Sequence, residues 1–220
     1  MKPAYAAFLG LLCWAGPAVS DEKSPSARWE KDIAAFERQE KEAPPAKGGV
    51  IFVGSSSIRL WKLDRSFPEL KNVLNRGFGG SQLADATYFA PRLLYKQQPR
   101  IVVLYAGDND LAAGKSPEQV AADFKEFVAV VRKELPETRI LYISVKPSPA
   151  RAALLDRARK TNALLAEQCG KEKGVEFVDV FNPMLGPDGQ PKPELFRDDR
   201  LHMNDKGYEL WAGILRPRLK

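Results

Sequence analysis

Arg100-Ile101-Val102-Val103-Leu104-Tyr105-Ala106 runs directly into Gly107-Asp108-Asn109-Asp110. Six apolar residues follow the arginine, and β-branched or aromatic side chains dominate them. Such a run, closed by glycine, predicts a strand buried on both faces. The polar text after it predicts a loop at the carboxyl end of that strand.

The pattern repeats in both directions along the chain. Val50-Ile51-Phe52-Val53 ends at Gly54 and reads as a second buried strand, while residues 72–75, 139–145 and 175–181 supply three more. Long helical patterns alternate with them. Residues 26–42 place Trp29, Ile33 and Phe36 at helical spacing among charges, and Pro44-Pro45 with Gly48-Gly49 ends that segment. Residues 82–98 read as a helix with a break at Pro91. Ser116-Pro117-Glu118-Gln119 reads as an N-cap, a proline at the first helical position and a capping-box glutamine, opening a helix to about residue 135. Residues 150–172 form another helix, and Asn204 caps a last one through Trp211 and Leu215. Short apolar strands alternating with helices predict an α/β fold: a three-layer α/β/α sandwich around a parallel sheet of about five strands. In open sheets of this kind ligands gather beyond the carboxyl ends of the strands.

The bulk composition fits one such domain. The chain has 220 residues, 44% hydrophobic and 28% charged, and a net charge of +6. No run of five or six basic residues exists, so the charge reads as a solvated surface rather than a nucleic-acid footprint. Residues 1–20 carry Lys2, an apolar stretch at residues 4–12 and small residues at Ala18 and Ser20, the pattern of a cleaved signal segment. Export to the periplasm or the extracellular space is the expectation, with residues 21–49 forming an N-terminal helix and linker and residues 50–220 the main domain. Removal of residues 1–20 takes away Cys13 and leaves Cys169 alone. Beside Leu164 and Leu165 in a helix, that thiol is expected to be a small buried hydrophobe. No other segment is apolar and long enough for a membrane span.

The chemistry starts from the single histidine, His202. Imidazole is the common general base near neutral pH. Asp199 stands three residues before it, where a carboxylate can accept from one ring nitrogen and fix the tautomer. A nucleophile is offered by the turn after the first strand, where Ser55, Ser56 and Ser57 compete. The G-x-S-x-G elbow is absent there, because Ile58 occupies the place of its second glycine. Gly79-Gly80 provides a turn in which a backbone N–H is unobstructed, and Asn109 provides a side-chain amide donor.

Together these residues resemble the SGNH hydrolases, also called GDSL-like lipases and acylhydrolases. The resemblance spans roughly residues 28–215 and rests on four blocks in order. Val53-Gly54-Ser55-Ser56-Ser57 places the family's nucleophile on Ser56. Asn75-Arg76-Gly77-Phe78-Gly79-Gly80 places its oxyanion glycine on Gly80. Gly107-Asp108-Asn109-Asp110 places its oxyanion amide on Asn109, and Asp199-Arg200-Leu201-His202 supplies the orienting acid and the base. Two departures stand out. Ser55 replaces the aspartate that often precedes the nucleophile, and Arg200 sits where it can pair with Asp198 or compete for Asp199.

The resemblance implies a serine esterase acting on a small-molecule carboxylic ester, as a lysophospholipase-like or lipase-like acylhydrolase. It implies Ser56, His202 and Asp199 as catalytic groups, with Ser56, Gly80 and Asn109 around the oxyanion, and no metal or cofactor. Some members of the family are carbohydrate O-acetylesterases, which is the alternative activity. A noncatalytic binding module is the rival of another class, and the intact Ser56, Asn109 and His202 argue against it. Two motifs are set aside. Gly114-Lys115-Ser116 mimics the end of a phosphate loop, but position 109 is asparagine where that loop needs glycine. The pairs Asp108 with Asp110 and Asp198 with Asp199 lack the histidines and cysteines of a transition-metal site.

Overall fold

Five parallel strands form one sheet in the order β2-β1-β3-β4-β5. A computed structural model describes residues 25–220. The expected signal segment, with Cys13, lies outside the described residues. The described chain begins with a 3-10 turn, Pro25–Trp29, that runs into α1, Glu30–Glu42. Then follow β1 (Val50–Gly54), α2 (Ser56–Arg59), α3 (Leu63–Ser66) and β2 (Val73–Gly77). After these come α4 (Leu83–Ala90), β3 (Ile101–Tyr105), α5 (Asp108–Ala112), α6 (Pro117–Glu134) and β4 (Arg139–Ile143). The last elements are α7 (Leu155–Lys171), β5 (Val175–Val178) and α8 (Asp205–Leu215).

Side-chain alternation divides the core into two layers. In β1, Ile51 and Val53 pack with Phe89, Phe124, Phe127 and Leu165 on the face covered by α4, α6 and α7. Val50 and Phe52 point the other way, toward Ile58, Trp61, Trp211 and Leu215 of the short helices and α8. Strand β3 repeats this division, with Val102 and Leu104 on the first face and Val103 and Tyr105 on the second. Helices therefore cover both faces, the three-layer arrangement that the apolar strands imply.

Local signals account for several element ends. Ser116 accepts from the Gln119 N–H, with Pro117 at the first helical position of α6. Asn204 accepts from the Gly207 N–H at the start of α8. The helix read over 82–98 stops at Ala90, and Pro91–Tyr95 continues as a π-helical turn, since proline has no N–H to give the ladder. The helix read over 150–172 starts as a 3-10 stretch, Pro149–Leu154. Among the described residues no helix is long and apolar enough to cross a membrane.

Two features of the sheet place the site. The chain moves from β1 to β2 on one side and then returns to β3 on the other, which opens a crevice at the strand ends. The register also sets Gly54 opposite both Gly77 and Tyr105, so the loops leaving β1, β2 and β3 start level with one another.

Candidate active site

The turn of three serines begins where the end of β1 lies close against β3. A Cβ on Gly54 would stand 1.9 Å from the Tyr105 carbonyl oxygen, so only glycine permits this approach. The three serines that follow have different surroundings. Ser55 and Ser57 are 0% and 1% exposed, and their hydroxyls have no hydrogen-bond partner among the described residues. Ser56 is partly exposed and opens α2, and its Oγ lies 3.0 Å from His202 Nε2. Two neighbours brace the turn. The Tyr208 hydroxyl donates to the Ser57 carbonyl at 3.0 Å. The Asn75 side-chain amide donates to the carbonyls of Ile58 and Trp61, at 2.7 and 3.1 Å.

His202 sits in a turn just before α8. The Arg197 N–H donates to the His202 carbonyl at 2.8 Å and closes that turn. Asp199 Oδ1 accepts the N–H groups of Leu201 and His202, both at 2.9 Å, while Oδ2 lies 2.6 Å from His202 Nδ1. Partial burial pushes the Asp199 carboxyl up, but the hydrogen bonds from the His202 ring and the two backbone donors outweigh it and hold it at about 2. Asp199 is therefore a carboxylate at neutral pH and accepts only. Nδ1 must carry the proton, which leaves Nε2 free to accept from Ser56. Arg200, the expected competitor, adopts φ 56° and makes no ion pair among the described residues.

Gly80 and Asn109 stand on the two neighbouring loops. Gly80 has φ 79°, and a Cβ there would meet nothing within 4 Å, so backbone conformation rather than crowding favours glycine. The Trp29 indole N–H donates to the Gly79 carbonyl at 2.9 Å, and the Ser81 hydroxyl donates to the Phe78 carbonyl at 2.9 Å. These bonds hold the turn on both sides of Gly80. The Asn109 Nδ2 donates to the Ser81 carbonyl at 3.0 Å, which ties the two loops together. Among the described residues, neither the Ser56 nor the Gly80 N–H is engaged in a backbone hydrogen bond.

Asp108 and Asp110, one of the acidic pairs set aside in the sequence, meet cations of the chain itself. Asp108 Oδ2 lies 2.7 Å from Lys146 Nζ and 3.0 Å from Arg151 Nη1. Asp110 accepts from Lys115 at 3.0 Å and from the N–H groups of Leu83 and Gly107. Lys115, the lysine of the apparent phosphate loop, thus pairs with Asp110 and Asp123. Burial pushes the Asp110 carboxyl up despite Lys115. Three residues had no assigned role in the sequence: Asn75, Lys146 and Arg151. Asn75 lies inside a recognised block, which was its signal. Lys146 and Arg151 follow β4, and the strand-end rule alone points to them. Cys169 is buried, and desolvation pushes its thiol up to about 12.

Comparison with known proteins identifies the family of the chain. Residues 60–210 match the GDSL-like Lipase/Acylhydrolase family. That match contains Gly80, Asn109, Asp199 and His202 and begins four residues after Ser56. The chain is similar to platelet-activating factor acetylhydrolase IB subunit alpha1 of Rattus norvegicus, 25% identical over 87% of this chain and 82% of that protein. It is also similar to isoamyl acetate-hydrolyzing esterase 1 homolog of Bos taurus, 26% identical over 68% of this chain and 69% of that one. The fold matches that of a GDSL-like lipase from Bacteroides thetaiotaomicron, with a TM-score of 0.68 at 20% identity, covering 89% of this chain and 97% of the other. A doubly covered parallel sheet, a site at its switch point and a family match over most of the chain lead to one conclusion: the protein belongs to the GDSL-like lipase/acylhydrolase family and is a carboxylic ester hydrolase.

Proposed function

We propose that this chain is an exported serine esterase that removes a short acyl group, acetyl first among them, from a small-molecule ester. The observation that carries the reading is the line Ser56 Oγ–His202 Nε2 at 3.0 Å and His202 Nδ1–Asp199 Oδ2 at 2.6 Å. The preference for acetyl is supported by the names of both curated relatives, which specify an acetylhydrolase and an acetate-hydrolysing esterase. Export is supported by the signal-like pattern of residues 1–20.

The mechanism follows from what each group can do. Ser56 Oγ attacks the acyl carbon while its proton moves to His202 Nε2. The carbonyl oxygen becomes an oxyanion, which the Ser56 and Gly80 N–H groups and the Asn109 amide receive. Ser81 uses one of the two Asn109 amide hydrogens, and the other serves the oxyanion. The tetrahedral intermediate collapses, and the leaving alcohol takes the proton from His202. Water then attacks the acyl-enzyme, His202 accepts its proton, and the carboxylic acid departs as Ser56 recovers its hydroxyl proton. Asp199 remains ionised throughout and stabilises the imidazolium formed in each half.

The test compares the wild-type protein with Ser56→Ala on p-nitrophenyl acetate, beside an acetylated sugar and a lysophospholipid. Wild type is expected to cleave the acetate ester, and the variant to lose about 10³-fold or more of that rate. Equal rates would remove Ser56 from the mechanism. Cleavage of the lysophospholipid alone would overturn the preference for a short acyl group.

A further inference from the structure

Behind Asn109 lies a charged cluster that the mechanism above does not use. Lys146 and Asp108 are almost fully buried, with side chains 1% and 7% exposed, and Arg151 is 21% exposed. Two cations thus face one carboxylate. Lys146 Nζ also lies 3.1 Å from the Tyr105 hydroxyl, whose burial keeps it protonated. Burial pushes the Asp108 carboxyl up, but the charges of Lys146 and Arg151 outweigh it and hold it below the usual range. The cluster therefore carries a net positive charge in surroundings of low dielectric.

Arg151 reaches from this cluster to Asn109. Its Nη2 donates to Asn109 Oδ1 at 2.9 Å, while Nη1 makes the ion-pair contact with Asp108. The two ends of an asparagine amide have nearly the same shape, so its partners must choose its orientation. A guanidinium can only donate, and the Ser81 carbonyl can only accept. Between them they hold Oδ1 toward Arg151 and Nδ2 toward Ser81. A flipped amide would set its carbonyl oxygen against the Ser81 oxygen and its NH2 against the guanidinium, and would turn an acceptor toward the developing oxyanion.

We propose that Arg151 is a positioning residue for the oxyanion site, fixing the donor orientation of Asn109 and polarising its amide from the Oδ1 side. This rests on the oxyanion role proposed for Asn109. Both effects favour the transition state over the bound ester, because the full negative charge exists only after attack by Ser56. The Arg151 loop has a structural contact as well: the Ala150 N–H donates to the Arg200 carbonyl at 3.0 Å. That bond belongs to the backbone and survives replacement of the Arg151 side chain. Loss of Arg151 leaves Asp108 still paired with Lys146, so no buried charge is left without a partner.

The experiment measures kcat and KM on p-nitrophenyl acetate for Arg151→Met, Arg151→Lys, Asn109→Ala and the Arg151→Met/Asn109→Ala double variant. Arg151→Met is expected to lower kcat about ten- to a hundredfold with KM little changed. Arg151→Lys, which keeps the charge and a donor, should recover part of that loss. In the Asn109→Ala background, Arg151→Met should add less than about twofold, because the partner through which it acts is gone. A boronic acid, which forms a tetrahedral anion on the nucleophile, should bind Arg151→Met more weakly in proportion to the kcat loss. Wild-type kcat in Arg151→Met, or equal kcat losses in the two backgrounds, would overturn the proposal. If Arg151→Met fails to fold, Arg151→Ala carries the same comparison in the two backgrounds, and a wild-type kcat there would overturn it. Wild-type activity in Asn109→Ala would instead overturn the oxyanion role of Asn109 on which the proposal stands.

Discussion

Ser56, His202 and Asp199 are joined so that each group has one available role. Asp199 receives three donors, and its carboxyl is held at about 2 although partial burial opposes this. It stays ionised well below neutral pH, so the pH dependence of the proposed chemistry near neutrality belongs to the imidazole. His202 must be neutral to take the Ser56 proton, so protonating it removes the base. Activity on p-nitrophenyl acetate should therefore rise from acid toward neutral pH, and a flat profile would count against His202 as the base. The sign for Asp199 itself is the opposite kind. Its lowered value makes it stabilising above the ordinary carboxylate value near 4, a contribution lost as pH falls toward about 2. The choice among the serines also belongs to this scale. Sequence alone left Ser55, Ser56 and Ser57 as equals until the four blocks set a register. Their difference is one of exposure, which depends on how α2 leaves β1 and on what packs against it. Arg151 and Lys146 were invisible for a related reason. A cation reveals its partner only when the loop after β4 meets the loop after β3.

Elements anticipated from the sequence are those whose side chains form long, one-sided or uniformly apolar patterns. The strands and the helices α1, α6, α7 and α8 are of this kind. The short helices α2, α3 and α5 were not anticipated, because a helix of four or five residues cannot support itself. Burial of Ile58, Trp61 and Leu63 stabilises the first two from outside. The sequence predicts a strand over residues 72–75, and β2 runs from Val73 to Gly77. Its polar residues looked like a loop, yet pairing with β1 continues to Gly77, and both polar side chains find partners. Asn75 binds the α2 turn, and Arg76 Nη2 pairs with Glu40 Oε1 of α1 at 2.8 Å. Both members of that ion pair are 5% exposed. Removing one alone leaves a buried charge, so Arg76→Met should cost about 3–5 kcal/mol in chemical denaturation. Arg76→Met with Glu40→Gln should recover much of this. A double variant as unstable as the single one would show that the stranded Glu40 charge is not the cause.

At the scale of the whole molecule, the parallel sheet brings three loops from distant parts of the chain to one edge. The fourth contribution, His202, arrives from the turn before α8. The convergence of the three loops is legible because each of their blocks follows a strand, and an open parallel sheet gathers its strand ends. The bonds that make the loops one site were not legible. Trp29 holding Gly79, Asn109 holding Ser81 and Tyr208 holding Ser57 join residues 50, 28 and 151 positions apart. The surrounding core offers an independent check. Cys169 is 3% exposed, with its thiol pushed up to about 12, so it should resist a thiol reagent in the folded protein at pH 8. In protein lacking residues 1–20, labelling should follow unfolding in denaturant. Rapid labelling of the native protein would show that α7 opens without the rest of the fold.

The central claim is that Ser56, activated by His202, is the nucleophile. Treatment with a fluorophosphonate followed by mass spectrometry of the digested protein tests it most directly. One adduct is expected, on Ser56, absent from Ser56→Ala and strongly reduced in His202→Ala. An adduct on Ser55, Ser57 or any other residue, or labelling that persists in Ser56→Ala, would contradict the account.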